Sequence, residues 1–133
     1  MIFQELYKRA ALYPKRLFIV DGFGALLSAF MLGVVLVKYE SIFGIPKDVL
    51  YVLAMLPCLF ALFDIYSVVR IKRAIAKFLN SIAIMNLMYC VLSLVLCMYH
   101  FAQLTYLGWM YMLGEMMVVV VLASIELKVA KSL

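Results

Sequence analysis

Charge is scarce in this chain. Lys, Arg, Asp and Glu together make up 14% of its 133 residues, against ~25% in ordinary soluble domains. Hydrophobic residues make up 69%. A domain of this size in water has too little interior to hide that much apolar surface. A soluble enzyme, a disordered segment and a disulfide-knotted secreted module are thereby excluded. His100 is the single histidine, so a bis-histidine haem cannot be built within one chain. The three cysteines, Cys58, Cys90 and Cys97, form no CxxC pair that would support thiol redox chemistry. They read as small packing residues. No nucleophilic triad and no Walker loop is present, and Gly22-Phe23-Gly24 lacks the third glycine of a dinucleotide fingerprint.

What the chain does have is long apolar runs. A bilayer core of ~30 Å needs about 20 apolar residues in helix. Four stretches meet this length: residues 17–37, 49–69, 79–99 and 104–125. They are continuously apolar, not alternating, which excludes a closed barrel. The expected fold is an all-α integral membrane protein, a single four-helix bundle over residues 17–133. Residues 1–16 precede it as an amphipathic arm, with Phe3, Leu6, Tyr7 and Ala10 on one face, ended by Pro14. No segment outside the spans is long enough to fold separately.

Orientation follows from Lys and Arg. The arm carries Lys8, Arg9, Lys15 and Arg16, the middle loop Arg70, Lys72, Arg73 and Lys77, and the tail Lys128 and Lys131. The alternate loops carry only Lys38 and Lys47. Ten against two puts both termini in the cytoplasm, at an inner or plasma membrane. The net charge of +5 is then accounted for by topology and by anionic lipid at the membrane surface. The basic residues flank spans and no reading module stands beside them, so nucleic acid is not an expected partner.

Against this background the acids inside the spans stand out. A charge at mid-bilayer costs ~2.5–3.5 kcal/mol on insertion scales. Yet Asp21, Asp64 and Glu115 fall within spans, and Glu126 at the end of the fourth. Counted from each span's middle, Asp21, Asp64 and Asn86 lie roughly 9, 7 and 5 Å toward the cytoplasm. Glu115 sits near the centre. Three antiparallel crossings thus bring Asp21, Asp64 and Asn86 into one slab of the inner leaflet.

Helical spacing gives each of these residues a seam of small or polar neighbours. The seams are Asp21, Ala25 and Ser28; Ala54, Pro57, Ala61 and Asp64; Ala83, Asn86, Cys90, Ser93 and Cys97; and Gly108, Tyr111 or Met112, Glu115 and Glu126. The four seams are expected to face one another. Pro57 frees a carbonyl one turn earlier and is expected to kink the second span or serve as its hinge.

No Lys or Arg lies deep in a span to pair with the acids. Burial opposes their ionisation unless a proton or cation is supplied. The first functional reading is therefore a small protein that binds or transports a proton or a cationic, amphipathic or lipid-like ligand. Asp21, Asp64, Asn86 and Glu115 form its site, open to the cytoplasm, with Asp64 and Glu115 central and Asp21 and Asn86 as supports. In the second reading the chain is a non-catalytic accessory or scaffold subunit. Its polar seams then hold helices, a second copy or a membrane partner together. A third reading is an enzyme using two buried carboxyls as acid and base on a lipid-like substrate. No cofactor is expected. Hard oxygen ligands would suit Mg²⁺, Ca²⁺ or Mn²⁺, but no spacing motif specifies a metal.

Overall fold

The computed structural model describes residues 4, 5, 8, 12–70 and 73–132. The arm's apolar face (Phe3, Leu6, Tyr7 and Ala10) lies outside the described residues, as do Arg9 and Lys72.

The described chain is helical, and four of its helices are long and apolar enough to cross a membrane. Helix α1 runs Lys15–Lys38, a short α2 Glu40–Phe43, α3 Lys47–Arg70, α4 Ile75–Tyr99 and α5 Tyr106–Ser132. The start of α1, the end of α3, the start of α4 and the end of α5 lie at one end, called here the terminal end. The α1–α3 and α4–α5 connections lie at the far end.

The boundaries have local causes. Pro14 caps α1, with its ring-fixed φ of −60° suited to a helix start. Gly44 ends α2 in the left-handed region at φ +73°, where a side chain would be strained. Its amide bonds back to the Glu40 carbonyl at 2.7 Å. Pro57 does not interrupt α3, which is unbroken around it. α1 departs from regular geometry instead, through a π-helical turn at Met31–Val35. α5 extends seven residues past the expected end of the fourth span, which carries Glu126 into the bundle.

The helices pair as two hairpins, α1 with α3 and α4 with α5. Small residues set the first pairing. A Cβ on Gly33 would meet the Ala54 Cβ at 3.2 Å, and one on Gly22 the Asp64 Cβ at 3.4 Å. Such close approach is what gives helices attraction where water cannot drive them together. Between hairpins the packing is sparser, and α1 barely meets α5.

Two regions join the hairpins. At the far end Thr105 accepts from the Gly108 amide at 3.2 Å, capping α5. Its own hydroxyl donates to the Ile42 carbonyl at 2.5 Å, and its amide donates to Phe43 at 3.2 Å. Gly108 packs directly on the Phe43 carbonyl, leaving no room for a Cβ. At the terminal end Phe18, Leu79, Ile82 and Val129 are fully buried and form an apolar floor.

The expected seams all turn inward in part or in whole. Ala54, Pro57, Ala61 and Asp64 are buried, as are Ala83, Asn86, Cys90, Ser93 and Cys97. Cys58 is the exception among the cysteines and faces outward.

Candidate functional site

Just above the apolar floor, four polar side chains from four helices meet. Asp21 is 3% exposed, Asp64 1%, Asn86 6% and Glu126 0%. The Asn86 amide nitrogen donates to Asp21 Oδ1 at 2.7 Å and to Glu126 Oε1 at 3.3 Å. Asp64 and Glu126 both lie against Asp21. The two oxygens of Asp64, Oδ2 of Asp21 and Oε2 of Glu126 have no partner. One amide nitrogen cannot satisfy three carboxyls, so the cluster must hold protons or a cation.

Two turns nearer the far end lies a second polar station. Tyr89 donates its hydroxyl to Glu115 Oε1 at 2.5 Å. Tyr111 and Ser28 lie alongside the same carboxyl, while Glu115 Oε2 has no partner. The Tyr89 ring is held edge-on to Phe60, with centroids 6.1 Å apart.

A cavity of about 600 Å³ connects the two stations. Asp21 and Asn86 line one end, and Glu115, Tyr89, Tyr111 and Ser28 the other. The wall between them is apolar and includes Ala25, Pro57, Phe60, Val119 and Leu122. Among the described residues, no Lys, Arg or His lines it. Its rim holds Gly24 and Leu27 of α1 with Met110, Gly114 and Val118 of α5, all of them exposed. The mouth is therefore the gap between α1 and α5, on the side of the bundle. Toward the terminal end the floor of Phe18, Leu79, Ile82 and Val129 lies beneath the cluster.

The residues read from sequence are thus brought together, but in a different grouping. Asp21, Asp64 and Asn86 do share one cluster. Glu115 does not join them and faces Asp21 across the cavity. Glu126 takes the fourth place in the cluster. The signal for it was present in the eleven-residue interval from Glu115, close to three whole turns. Asp64 lies behind Asp21, away from the cavity, at the base of a small apolar groove between α1 and α3. Tyr89 was not singled out from the sequence, because its partner is 26 residues away. Pro57 lines the cavity wall.

Among the described residues no group of three or more His, Cys, Asp or Glu is arranged to hold a metal ion. Lys15, Arg16, Arg70, Arg73, Lys77, Lys128 and Lys131 lie toward the terminal end, and Lys38 and Lys47 at the far end. Lys15 reaches the Val68 carbonyl at 3.4 Å, and Arg16 lies over the Tyr13 ring at 4.3 Å. Lys8, Arg70, Arg73 and Lys77 are exposed.

Compared with known protein families, curated proteins and solved structures, the chain matches none.

Proposed function

We propose that the chain is a multi-pass membrane protein that binds an amphipathic cationic small molecule, admitted from the bilayer through the α1–α5 gap. One observation carries this reading. A cavity with apolar walls is lined by two carboxyls, Asp21 and Glu115, each with an oxygen that has no hydrogen-bond partner among the described residues, and no described basic residue lines it to neutralise them. Sites of several hundred Å³ with few, convergent polar groups are typical of small-molecule binding. An apolar body matches the walls and a protonated amine matches the carboxylates.

The excess of Lys and Arg in the arm, middle loop and tail supports placing both termini in the cytoplasm, and we assign the protein to an inner or plasma membrane on that basis. Asp21 and Asn86 then lie in the inner leaflet, with Glu115 nearer the middle. Asp64 and Glu126 lie outside the cavity wall, and their part is to hold Asp21 and the two hairpins in place. Transport would require the ligand to leave by a second route, so the reading stops at binding.

The test is saturable binding of an aromatic tertiary amine to the purified protein, measured by equilibrium dialysis against its neutral isostere. The amine binds about tenfold or more tightly than the isostere, and Asp21→Asn removes the difference. Protons compete for the same oxygens, so amine binding weakens as the pH falls. Equal binding of amine and isostere sinks the reading.

A further inference from the structure

The two carboxyls of the cavity stand too far apart to share one ammonium group. Asp21 and Ser28 are seven residues apart on α1, roughly 10 Å along the helix axis. Ser28 lies beside Glu115, so the Asp21 and Glu115 carboxyls are separated by about the same distance. A charge-assisted N–H···O contact spans only ~2.7–2.9 Å. Between the stations the wall offers Ala25, Phe60, Val119 and Leu122, none of which can solvate a charge. A ligand with one amine therefore leaves one carboxyl unpartnered at the opposite end.

Each station also has its own donor beside the acid. Asn86 donates to one oxygen of Asp21, and Tyr89 to one oxygen of Glu115. In both carboxyls it is the second oxygen, Oδ2 or Oε2, that has no partner. Each carboxyl is thus held by a protein donor through one oxygen, with Asp64 and Glu126 lying against Asp21 and Tyr111 and Ser28 against Glu115. The geometry points to a two-headed ligand, a diamine whose ammonium groups lie roughly 5–10 Å apart, one on each carboxyl. An apolar spacer between them would lie along Phe60 and Leu122. This rests on the cationic-ligand reading and adds the second head and the spacing.

The test uses the whole chain purified in detergent and isothermal titration with a homologous series of α,ω-diamines, each paired with the monoamine of equal length. The affinity of the diamines passes through a maximum along the series, at a nitrogen–nitrogen span inside that range. At the maximum the diamine exceeds its monoamine by about tenfold or more. Glu115→Gln, which preserves side-chain shape, lowers the best diamine to the level of its monoamine. Diamines and monoamines that bind equally well at every length overturn the two-headed site and leave the single-cation reading standing. Failure of every amine to bind better than a neutral isostere overturns both.

Discussion

Asn86 on α4 donates to Asp21 on α1 at 2.7 Å, across 65 residues of sequence. The two helices belong to different hairpins. With its second contact to Glu126 on α5, this one amide ties the hairpins together above the floor. Thr105 does the same at the far end, through the carbonyls of Ile42 and Phe43. The cavity lies between these two ties, where α1 and α5 pack sparsely. Between them the hairpins also meet through Phe60 and Tyr89 and through Ser28 and Glu115, which border the cavity.

Asn86→Leu tests the tie at the terminal end. An interhelical hydrogen bond in a membrane averages only ~0.6 kcal/mol. Leaving buried carboxyls without their donor costs more, ~1–3 kcal/mol. The second effect dominates, so the variant is less stable by about 1–3 kcal/mol, read as a lowered midpoint of thermal unfolding in detergent. An unchanged midpoint would show that the carboxyls satisfy one another without Asn86.

The far-end tie depends on a glycine. A Cβ at Gly108 would run into the Phe43 carbonyl, which is backbone and cannot swing aside. Gly108→Ala therefore pushes α5 away from the α1–α3 connection, at a cost of about 1–3 kcal/mol. Gly24 and Gly114 have nothing within 4 Å of a built Cβ. Alanine at either should leave unfolding unchanged or raise its midpoint, since Ala is the better helix former by ~1 kcal/mol. Comparing the three alanine variants by thermal unfolding separates a glycine required by contact from two that are not.

How much of this was legible beforehand follows from what each feature depends on. Span length and Lys/Arg asymmetry are local quantities, and the four helices follow from the first of them. The inward stripes follow from the helical period, as in Ala54, Pro57, Ala61 and Asp64. The shared depth of Asp21, Asp64 and Asn86 follows from counting residues across antiparallel crossings. Rotation about each helix axis is another matter. It decided that Glu126 and not Glu115 closes the cluster, and no residue count supplies it. The last helix also runs on past the expected end of the fourth span, because hydropathy sets a span boundary while helical hydrogen bonding continues through Glu126. The hydroxyl partner of Glu115 and the sideways mouth depend on how hairpins dock, which is set by Thr105, Gly108 and Asn86 acting at a distance.

Tyr89→Phe isolates one hydroxyl. The ring keeps its edge contact with Phe60, so packing is preserved and the stability loss is at most about 0.6 kcal/mol. The effect on binding is larger than that. Without the hydroxyl, Glu115 loses the contact that fixes its Oε1 at the cavity wall. Affinity for the best diamine, whose second head sits at Glu115, is expected to fall about three- to tenfold, a change of roughly 0.7–1.4 kcal/mol. Titration of the two proteins with the same diamine measures it. Equal affinities would mean that Tyr111 and Ser28 suffice to orient the carboxyl.

The sideways mouth makes its own prediction. Gly24 on α1 and Gly114 on α5 are exposed rim residues with open space where a side chain would stand. A leucine at Gly114 projects into that space and narrows the entrance without displacing any packed group. Its apolar surface suits the bilayer, so the fold is retained, and the thermal midpoint should stay within about 0.5 kcal/mol of the parent. Amine binding should slow, because the route between α1 and α5 is obstructed. The association rate, followed by stopped-flow fluorescence of a labelled amine, is the deciding quantity. A fall of about tenfold in that rate with an unaltered midpoint supports lateral entry. An unaltered rate would mean that the ligand reaches Asp21 by another path, and the apolar floor of Phe18, Leu79, Ile82 and Val129 would then have to open.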